Sequence, residues 1–189
     1  MLLLHELGAW IIREPRAGSE SILFLFMKQN EIRIVEADLD DPVHQETVLK
    51  LVDEYSKDEM GDGKALSDEA RGRLVSGLRE HPTTMILVAY KREEPIGIAV
   101  CFRGFSTFAA RPLMNIHDLA VLPGHRGEGI GSLLLRAVEQ KAREMGCCKM
   151  TLEVLENNPR ARAIYEAAGF KASVTKQQTG NCFFLSKRI

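Results

Sequence analysis

The pattern of apolar and polar positions from residue 32 to residue 82 predicts one strand followed by two helices. Ile32–Val35 is a short, largely apolar segment that is typical of a strand. The dipeptide Asp41-Pro42 offers an N-cap and a first helical residue, and apolar residues recur at helical spacing to about residue 57. Ser67 is the N-cap of a second predicted helix, which ends before Pro82.

The middle of the chain predicts three strands. Met85–Tyr90 is a continuous apolar run, which is typical of a buried strand, and Lys91–Glu94 is a charged turn. Pro95 opens a second strand that runs from Ile96 to about Phe102, so the two strands form a hairpin. We expect Arg103–Pro112 to be a loop and Asn115–Leu122 to be the third strand.

The last third predicts two more helices and three more strands. Apolar residues at strict helical spacing run from Ile130 to Met145, and Lys149–Leu155 follows as a strand. A short helix begins after Asn158 and ends at Gly169, and residues 172–187 resemble a closing hairpin. The order of elements predicts an α/β fold, with one mixed sheet flanked by about four helices, in a single domain over residues 31–189.

Composition and charge bear on which partners, metals and cell compartment to expect. Lys and Arg total 25 and Asp and Glu total 26, so the net charge does not favour nucleic acid or an anionic membrane as a partner. The four cysteines lack the spacing of a metal site, so we expect reduced thiols, a cytoplasmic protein and no metal. The segment 1–30 has two short apolar runs and is expected to be an extension outside the fold; an upstream start codon is one hypothesis for residues 1–26.

The most informative segment is the glycine-rich turn between the third middle strand and the helix that begins at Ile130. Gly127, Gly129 and Gly131 let backbone N–H groups approach a phosphate, and Arg126 adds a cation beside them. The same segment nearly fits a dinucleotide fingerprint, with Ser132 in place of the third glycine and Glu153 as the later acid. A diphosphate ligand is predicted in either case.

Two motifs together resemble the GNAT superfamily of N-acetyltransferases. The first is Arg126-Gly127-Glu128-Gly129-Ile130-Gly131, directly after the strand residues His117 to Val121. The second is the run from Asn157 to Phe170, which resembles the family signature of Asn, Ala, Tyr and Gly-Phe. The resemblance covers roughly Glu31 to Ile189 and implies acetyl-CoA as the co-substrate.

The resemblance also implies residue roles. The strand that ends at Val121 should splay from the next strand along the chain, and the pantetheine arm should lie in that gap. Tyr165 matches the residue that protonates the leaving thiolate, and backbone N–H groups near Val121 should stabilise the oxyanion. The residues implied in cofactor binding are Leu119, Ala120, Val121, Arg126, Gly127, Glu128, Gly129, Ile130, Gly131, Asn158 and Tyr165.

The acceptor side is less specified by the sequence. Glu153 and Asp118 are candidates for the catalytic base, and His117, Asp118 and Glu153 are candidates for substrate contact; each also has a structural interpretation. Strand alternation does not decide whether His117 or Asp118 faces the substrate. The acidic run near the end of the first helix fits either a solvated face or recognition of a cationic amine; its members are Glu54, Asp58, Glu59 and Asp62.

These observations predict an N-acetyltransferase that moves the acetyl group of acetyl-CoA to a primary amine of a small molecule or peptide. Two alternatives stay open, an NAD(P)-type dinucleotide enzyme and a non-catalytic acyl-CoA-binding regulatory domain. The family implies a homodimer in many of its members, but no sequence feature specifies an interface.

Overall fold

The computed structural model describes residues 32–171. The elements in this range, in chain order, are β1 (Ile32–Glu36), α1 (Pro42–Ser56), α2 (Asp68–Glu80), β2 (Thr84–Lys91), β3 (Glu94–Ser106), β4 (Arg111–Val121), α3 (Ile130–Glu144), β5 (Met150–Leu152) and α4 (Pro159–Ala167). A single 3-10 turn, Pro123–His125, lies between β4 and α3. The predicted extension over 1–30 and the predicted hairpin over 172–187 fall outside the described residues.

The five strands form one sheet in the order β1-β2-β3-β4-β5. Strands β1 to β4 pair antiparallel, and β5 pairs parallel to β4. A parallel pair requires a crossover, and α3 makes that crossover. This mixed sheet with helices on its faces confirms the fold class predicted from the sequence.

Apolar side chains cover both faces of the sheet. On one face, Leu134 and Val138 of α3 are fully buried against the strands. On the other face, Val48 and Leu51 of α1 pack against Val88 and its neighbours on the sheet. Burying one such side chain stabilises the folded state by roughly 1.5–3 kcal/mol. The two helices therefore stabilise the sheet by packing on its opposite faces.

Three helices begin at the caps that the sequence predicted. The side chain of Asp41 accepts a hydrogen bond from Val43 N at 2.8 Å, and Ser67 Oγ accepts one from Ala70 N at 3.2 Å. Asn158 Oδ1 accepts from Ala161 N at 3.0 Å at the start of α4. Each cap satisfies a backbone donor that the first helical turn leaves open.

Two predicted boundaries are wrong. The segment Arg103–Pro112 is mostly strand, because β3 and β4 continue to pair as far as Ser106 and Arg111. Most side chains at this end of the hairpin are exposed, including Phe105 and Phe108, and the buried Ser106 is polar, so the segment lacks the apolar face that predicts a strand. The predicted strand Lys149–Leu155 is only three residues long, because β4 has diverged from it after Leu152 and offers no partner.

None of the helices within residues 32–171 has the length and hydropathy that a membrane crossing requires.

Candidate active site

The central feature of the site is the gap where β4 and β5 separate. The two strands pair only from Met114 and Met150 to Ile116 and Leu152, and Asn115 Nδ2 donates to Thr151 Oγ1 at 3.1 Å within this pair. Strand β4 then continues to Val121 with a strand partner only on its β3 side. The splay matches what the family resemblance implied and opens a cleft between the two strands.

The cleft has a volume of about 700 Å³. It takes in most of the predicted site: Leu119, Ala120, Val121, Arg126, Gly127, Gly129, Ile130, Gly131, Glu153, Asn158, Tyr165 and His117 all line it. A space of this size fits a drug-sized ligand.

One end of the cleft is a glycine wall, formed by residues 126–131 and the start of α3. Gly127 and Gly129 have φ values of 89° and 81°, a backbone conformation that other residues rarely adopt. No atom lies within 4 Å of the position where a Cβ on either glycine would stand. The main chain is therefore bare at the N-terminus of α3, which is where backbone N–H groups and the helix dipole favour a phosphate.

Two side chains of the glycine wall point to different partners. Arg126 lines the cleft, where its Nε donates to Val121 O at 2.9 Å and its Nη2 donates to Asp58 Oδ2. Glu128 is not among the cleft-lining residues, because its carboxylate accepts from Lys91 Nζ at 2.7 Å. Only the backbone of Glu128 can therefore contribute to a ligand site in this conformation.

Helix α4 supplies a second wall of the cleft. Its N-cap, Asn158, lines the cleft and uses Oδ1 to cap the helix, so the side-chain amide nitrogen is the group left for a ligand. Tyr165 also lines the cleft and packs edge-on against Phe170 at 5.9 Å between ring centroids. Burial, and to a lesser extent the neighbouring Tyr55, raises the pKa of Tyr165 to about 12. The phenol is therefore protonated, and able to donate a proton, at neutral pH.

A β-bulge in β4 decides which of two adjacent candidates faces the cleft. Val100 pairs with Asp118 and Cys101 pairs with Ile116, so His117 is an additional residue on β4. His117 is exposed and lines the cleft, whereas Asp118 is half-buried and does not. A bulge breaks the alternation of side chains, which is why the sequence left this choice open.

Asp118 lies behind the cleft surface. Burial raises the pKa of its carboxyl group, and the nearby His117 partly offsets that effect. Its charge contributes, after burial, to the raised pKa of Tyr55 and of Cys101. A catalytic role or a direct substrate contact of Asp118 stays a prediction.

A third wall of the cleft, here called the loop wall, is formed by Tyr55, Asp58, Glu59 and Met60. Sequence reasoning missed Tyr55 and Met60 as site residues, because Tyr55 fits the apolar stripe of α1 and Met60 lies in a loop without a motif. Glu153 follows β5 directly and is exposed in the cleft. Asp58 of the loop wall pairs with Arg126 of the glycine wall, and Glu59 and Glu153 add two further carboxylates to the cleft lining.

The chain matches a known protein family. The model of the acetyltransferase (GNAT) family matches residues 48–170. The chain belongs to this family.

Among the residues that the structure describes, no group of three or more His, Cys, Asp or Glu side chains is arranged to hold a metal ion.

Named relatives agree with the family. A thialysine N-epsilon-acetyltransferase from Bos taurus is 30% identical over 145 residues, which is 72% of this chain and 83% of the relative. A streptothricin acetyltransferase from Streptomyces lavendulae is 41% identical over a shorter stretch of 69 residues, 36% of either chain. The relatives are named as N-acetyltransferases. This chain is an acyltransferase of the same family.

Solved structures show the same fold. An aminoglycoside N-acetyltransferase in complex with CoA superimposes with a TM-score of 0.64 at 20% identity, covering 85% of this chain and 97% of that chain. At this identity the likeness concerns the fold alone.

Proposed function

We propose that the protein transfers the acetyl group of acetyl-CoA directly to a primary amine of a small molecule or peptide. The observation that carries this proposal is the splay of β4 from β5, which joins the glycine wall to Tyr165 in one continuous cleft. A dinucleotide enzyme is disfavoured because its fold needs a parallel sheet, whereas β1 to β4 are antiparallel.

The residues of the cleft fit the proposed co-substrate. The bare main chain at Gly127 and Gly129 can accept a diphosphate, and Arg126 carries the matching charge. Beyond Ile116, the edge of β4 that faces the gap offers backbone groups to the amides of the pantetheine arm. Bound acetyl-CoA would supply the thioester, whose acetyl group is activated toward an amine.

The chain's own groups then handle charge and protons. A neutral amine nitrogen forms a bond to the acetyl carbon, the bond from that carbon to sulfur breaks, and the amine loses one proton. Backbone N–H groups near Val121 stabilise negative charge on the carbonyl oxygen. Tyr165, whose phenol is neutral and carries its proton at neutral pH, gives that proton to the leaving sulfur. Glu153, exposed in the cleft, is our candidate for taking the proton of the amine, directly or through water.

The acceptor is proposed as a class rather than a compound. The names of the relatives point to thialysine, streptothricin and aminoglycosides, all of which are suitable first members of an amine panel. The carboxylates near the loop wall are compatible with an acceptor that carries further positive charge.

The test measures CoA thiol release from acetyl-CoA across the amine panel, for the wild-type protein and for Tyr165→Phe. We expect turnover with at least one amine and a fall of about 100-fold or more in kcat for the variant, with CoA affinity retained. Absence of turnover with every amine, together with tight CoA binding, would instead support the non-catalytic binding domain.

A further inference from the structure

Two groups from different parts of the fold hold the side chain of Arg126. Its Nε donates to Val121 O, at the end of β4, at 2.9 Å, and its Nη2 donates to Asp58 Oδ2, in the loop that follows α1. Two fixed partners leave a planar guanidinium with one orientation. About a third of the Arg126 side chain is exposed, and that part lies at the cleft.

The partner carboxylate is itself fixed. Asp58 is 13% exposed, its Oδ1 accepts from Met60 N at 2.9 Å, and its main-chain oxygen accepts from Gly61 N at 2.9 Å. Hydrogen bonding from Arg126, followed by that from Met60 N, lowers the pKa of Asp58. The carboxylate is therefore charged at neutral pH and has little freedom to turn away.

The loop that carries Asp58 has a defined shape. Ser56 O accepts from both Asp62 N and Lys64 N at 3.1 Å, which folds the loop back on the end of α1. A Cβ at Gly61 would stand only 2.4 Å from Tyr55 O, so this close approach requires glycine. The loop can therefore present the Asp58 carboxylate to Arg126 at a constant position.

We propose that Asp58 is a positioning residue for the diphosphate of the co-substrate, acting through Arg126. Together with Val121 O, it orients the guanidinium so that the remaining N–H groups face the cleft beside the glycine wall. An oriented guanidinium loses less conformational freedom when it binds phosphate than a mobile one. This inference rests on the proposed function, because it needs a diphosphate-containing ligand in the cleft.

Neutralising Asp58 could either weaken or strengthen CoA binding, so the direction of the change in CoA affinity tests the inference. The Asp58 carboxylate has the same charge sign as a diphosphate, and repulsion alone would make its removal favourable for binding. Arg126 stands between the two anions and screens that repulsion. The inference therefore requires that orientation outweighs repulsion, so that neutralising Asp58 weakens binding.

The experiment is calorimetric titration of CoA into the full-length wild-type protein and into four variants at one ionic strength: D58N, R126Q, the double variant D58N/R126Q and the control D62N. The side-chain amide introduced by D58N keeps an oxygen that can accept from Met60 N, so the turn in the loop is retained. Asp62 lies in the same loop, is exposed and does not line the cleft, so D62N makes the same change away from Arg126.

We expect D58N to weaken CoA binding roughly tenfold, the scale of losses when a group that orients a ligand-binding residue is removed. D62N should bind CoA like the wild type. In the R126Q background, D58N should cause no further loss, which a general structural role of Asp58 would not produce.

Three results would overturn the inference. These are unchanged CoA affinity in D58N, tighter binding in D58N, and an equal loss from D58N with or without Arg126. If the wild-type protein does not bind CoA at all, the proposed function fails together with this inference.

Discussion

The glycine wall and the loop wall of the cleft are made from different parts of the chain. At the glycine wall, Gly127 and Gly129 expose main chain, and α3 behind them has five buried side chains that anchor it to the sheet. At the loop wall, Tyr55, Glu59 and Met60 present side chains from the end of α1 and the loop after it. Under the proposed function, the main chain of the glycine wall would bind the co-substrate and the side chains of the loop wall would face the acceptor.

The electrostatic support of the two walls also differs. Behind the loop wall, the buried Asp53 accepts from Leu66 N at 3.0 Å and forms ion pairs with Arg71 at 2.7 Å and Lys57 at 2.9 Å. This network ties α1 to the start of α2. The glycine wall depends on apolar packing, because Ile130 and Leu134 of α3 are almost completely buried. Apart from the pair of Asp58 and Arg126, which joins the two walls, changes in one wall should leave the role of the other wall intact.

The largest expected effect comes from Gly129→Val, which places a β-branched side chain at a positive φ and over the bare main chain. We expect CoA affinity to fall roughly 100-fold or more, from strain of about 1–2 kcal/mol and from lost space for the diphosphate. Titration with CoA measures this. Gly77→Val, in an exposed position of α2, is the matched control and should keep wild-type affinity.

The next effect concerns the acceptor. Glu153→Gln removes a carboxylate that faces the cleft without touching the glycine wall. We expect kcat/KM for the amine to fall at least about tenfold, because a general base or an ammonium partner is lost, while CoA affinity stays the same. Steady-state kinetics with an amine identified from the panel measure it. A loss of CoA affinity of the same size would mean that the two walls are not separable.

A change in acid stability should reveal the ion-pair network behind the loop wall. Hydrogen bonds from Arg71, then from Lys57, lower the pKa of Asp53 to about 2 from its usual 3.8. Because the folded-state pKa is the lower one, this stabilisation is present above pH 3.8 and is lost as the pH falls toward 2.

We therefore expect Asp53→Asn to lower Tm by several degrees at neutral pH. The difference from the wild type should shrink as the pH falls from 3.8 toward about 2, because the carboxylate is protonated first in the unfolded protein and then in the folded one. Melting curves from neutral to acidic pH measure this. A difference that stays constant down to the lowest pH would show that the charge of Asp53 is not what stabilises the loop wall.

The smallest effect concerns α2, which has no buried side chain. No atom lies within 4 Å of a Cβ placed on Gly72, so Gly72→Ala should increase the free energy of unfolding by about 0.5–1 kcal/mol through helix propensity. Chemical denaturation measures it. CoA affinity should not change, and a measurable loss would link α2 to the glycine wall more closely than the packing indicates.

Sequence patterns predicted the glycine wall well, for a physical reason. A turn that brings main chain to a phosphate needs glycine at defined positions, and a helix packed on a sheet needs a continuous apolar stripe. Gly127, Gly129 and the stripe from Ile130 to Ala142 meet both requirements, so the shape of this wall follows directly from the sequence. Helix caps were predictable for the same reason, because few side chains can satisfy the open donors.

The rest of the site could not be predicted because its geometry arises from pairing and bulges. The orientations of His117 and Asp118 depend on the register shift between β3 and β4, which no local pattern records. Tyr55 belongs to an apolar stripe that continues into the cleft, so its spacing resembles that of a core residue. The link between Asp58 and Arg126 joins residues 68 positions apart, and only the folded chain brings them together.

The most direct test of the account is a thermal-shift comparison of acetyl-CoA, CoA, NADH and NADPH with the full-length protein. A ligand at about 100 times its Kd adds roughly 2.7 kcal/mol of stability, which is a shift of several degrees. We predict stabilisation by acetyl-CoA and CoA and none by the nicotinamide cofactors. Stabilisation by NADH or NADPH alone would contradict the assignment of the cleft to acetyl-CoA and would mean that the glycine wall binds a dinucleotide.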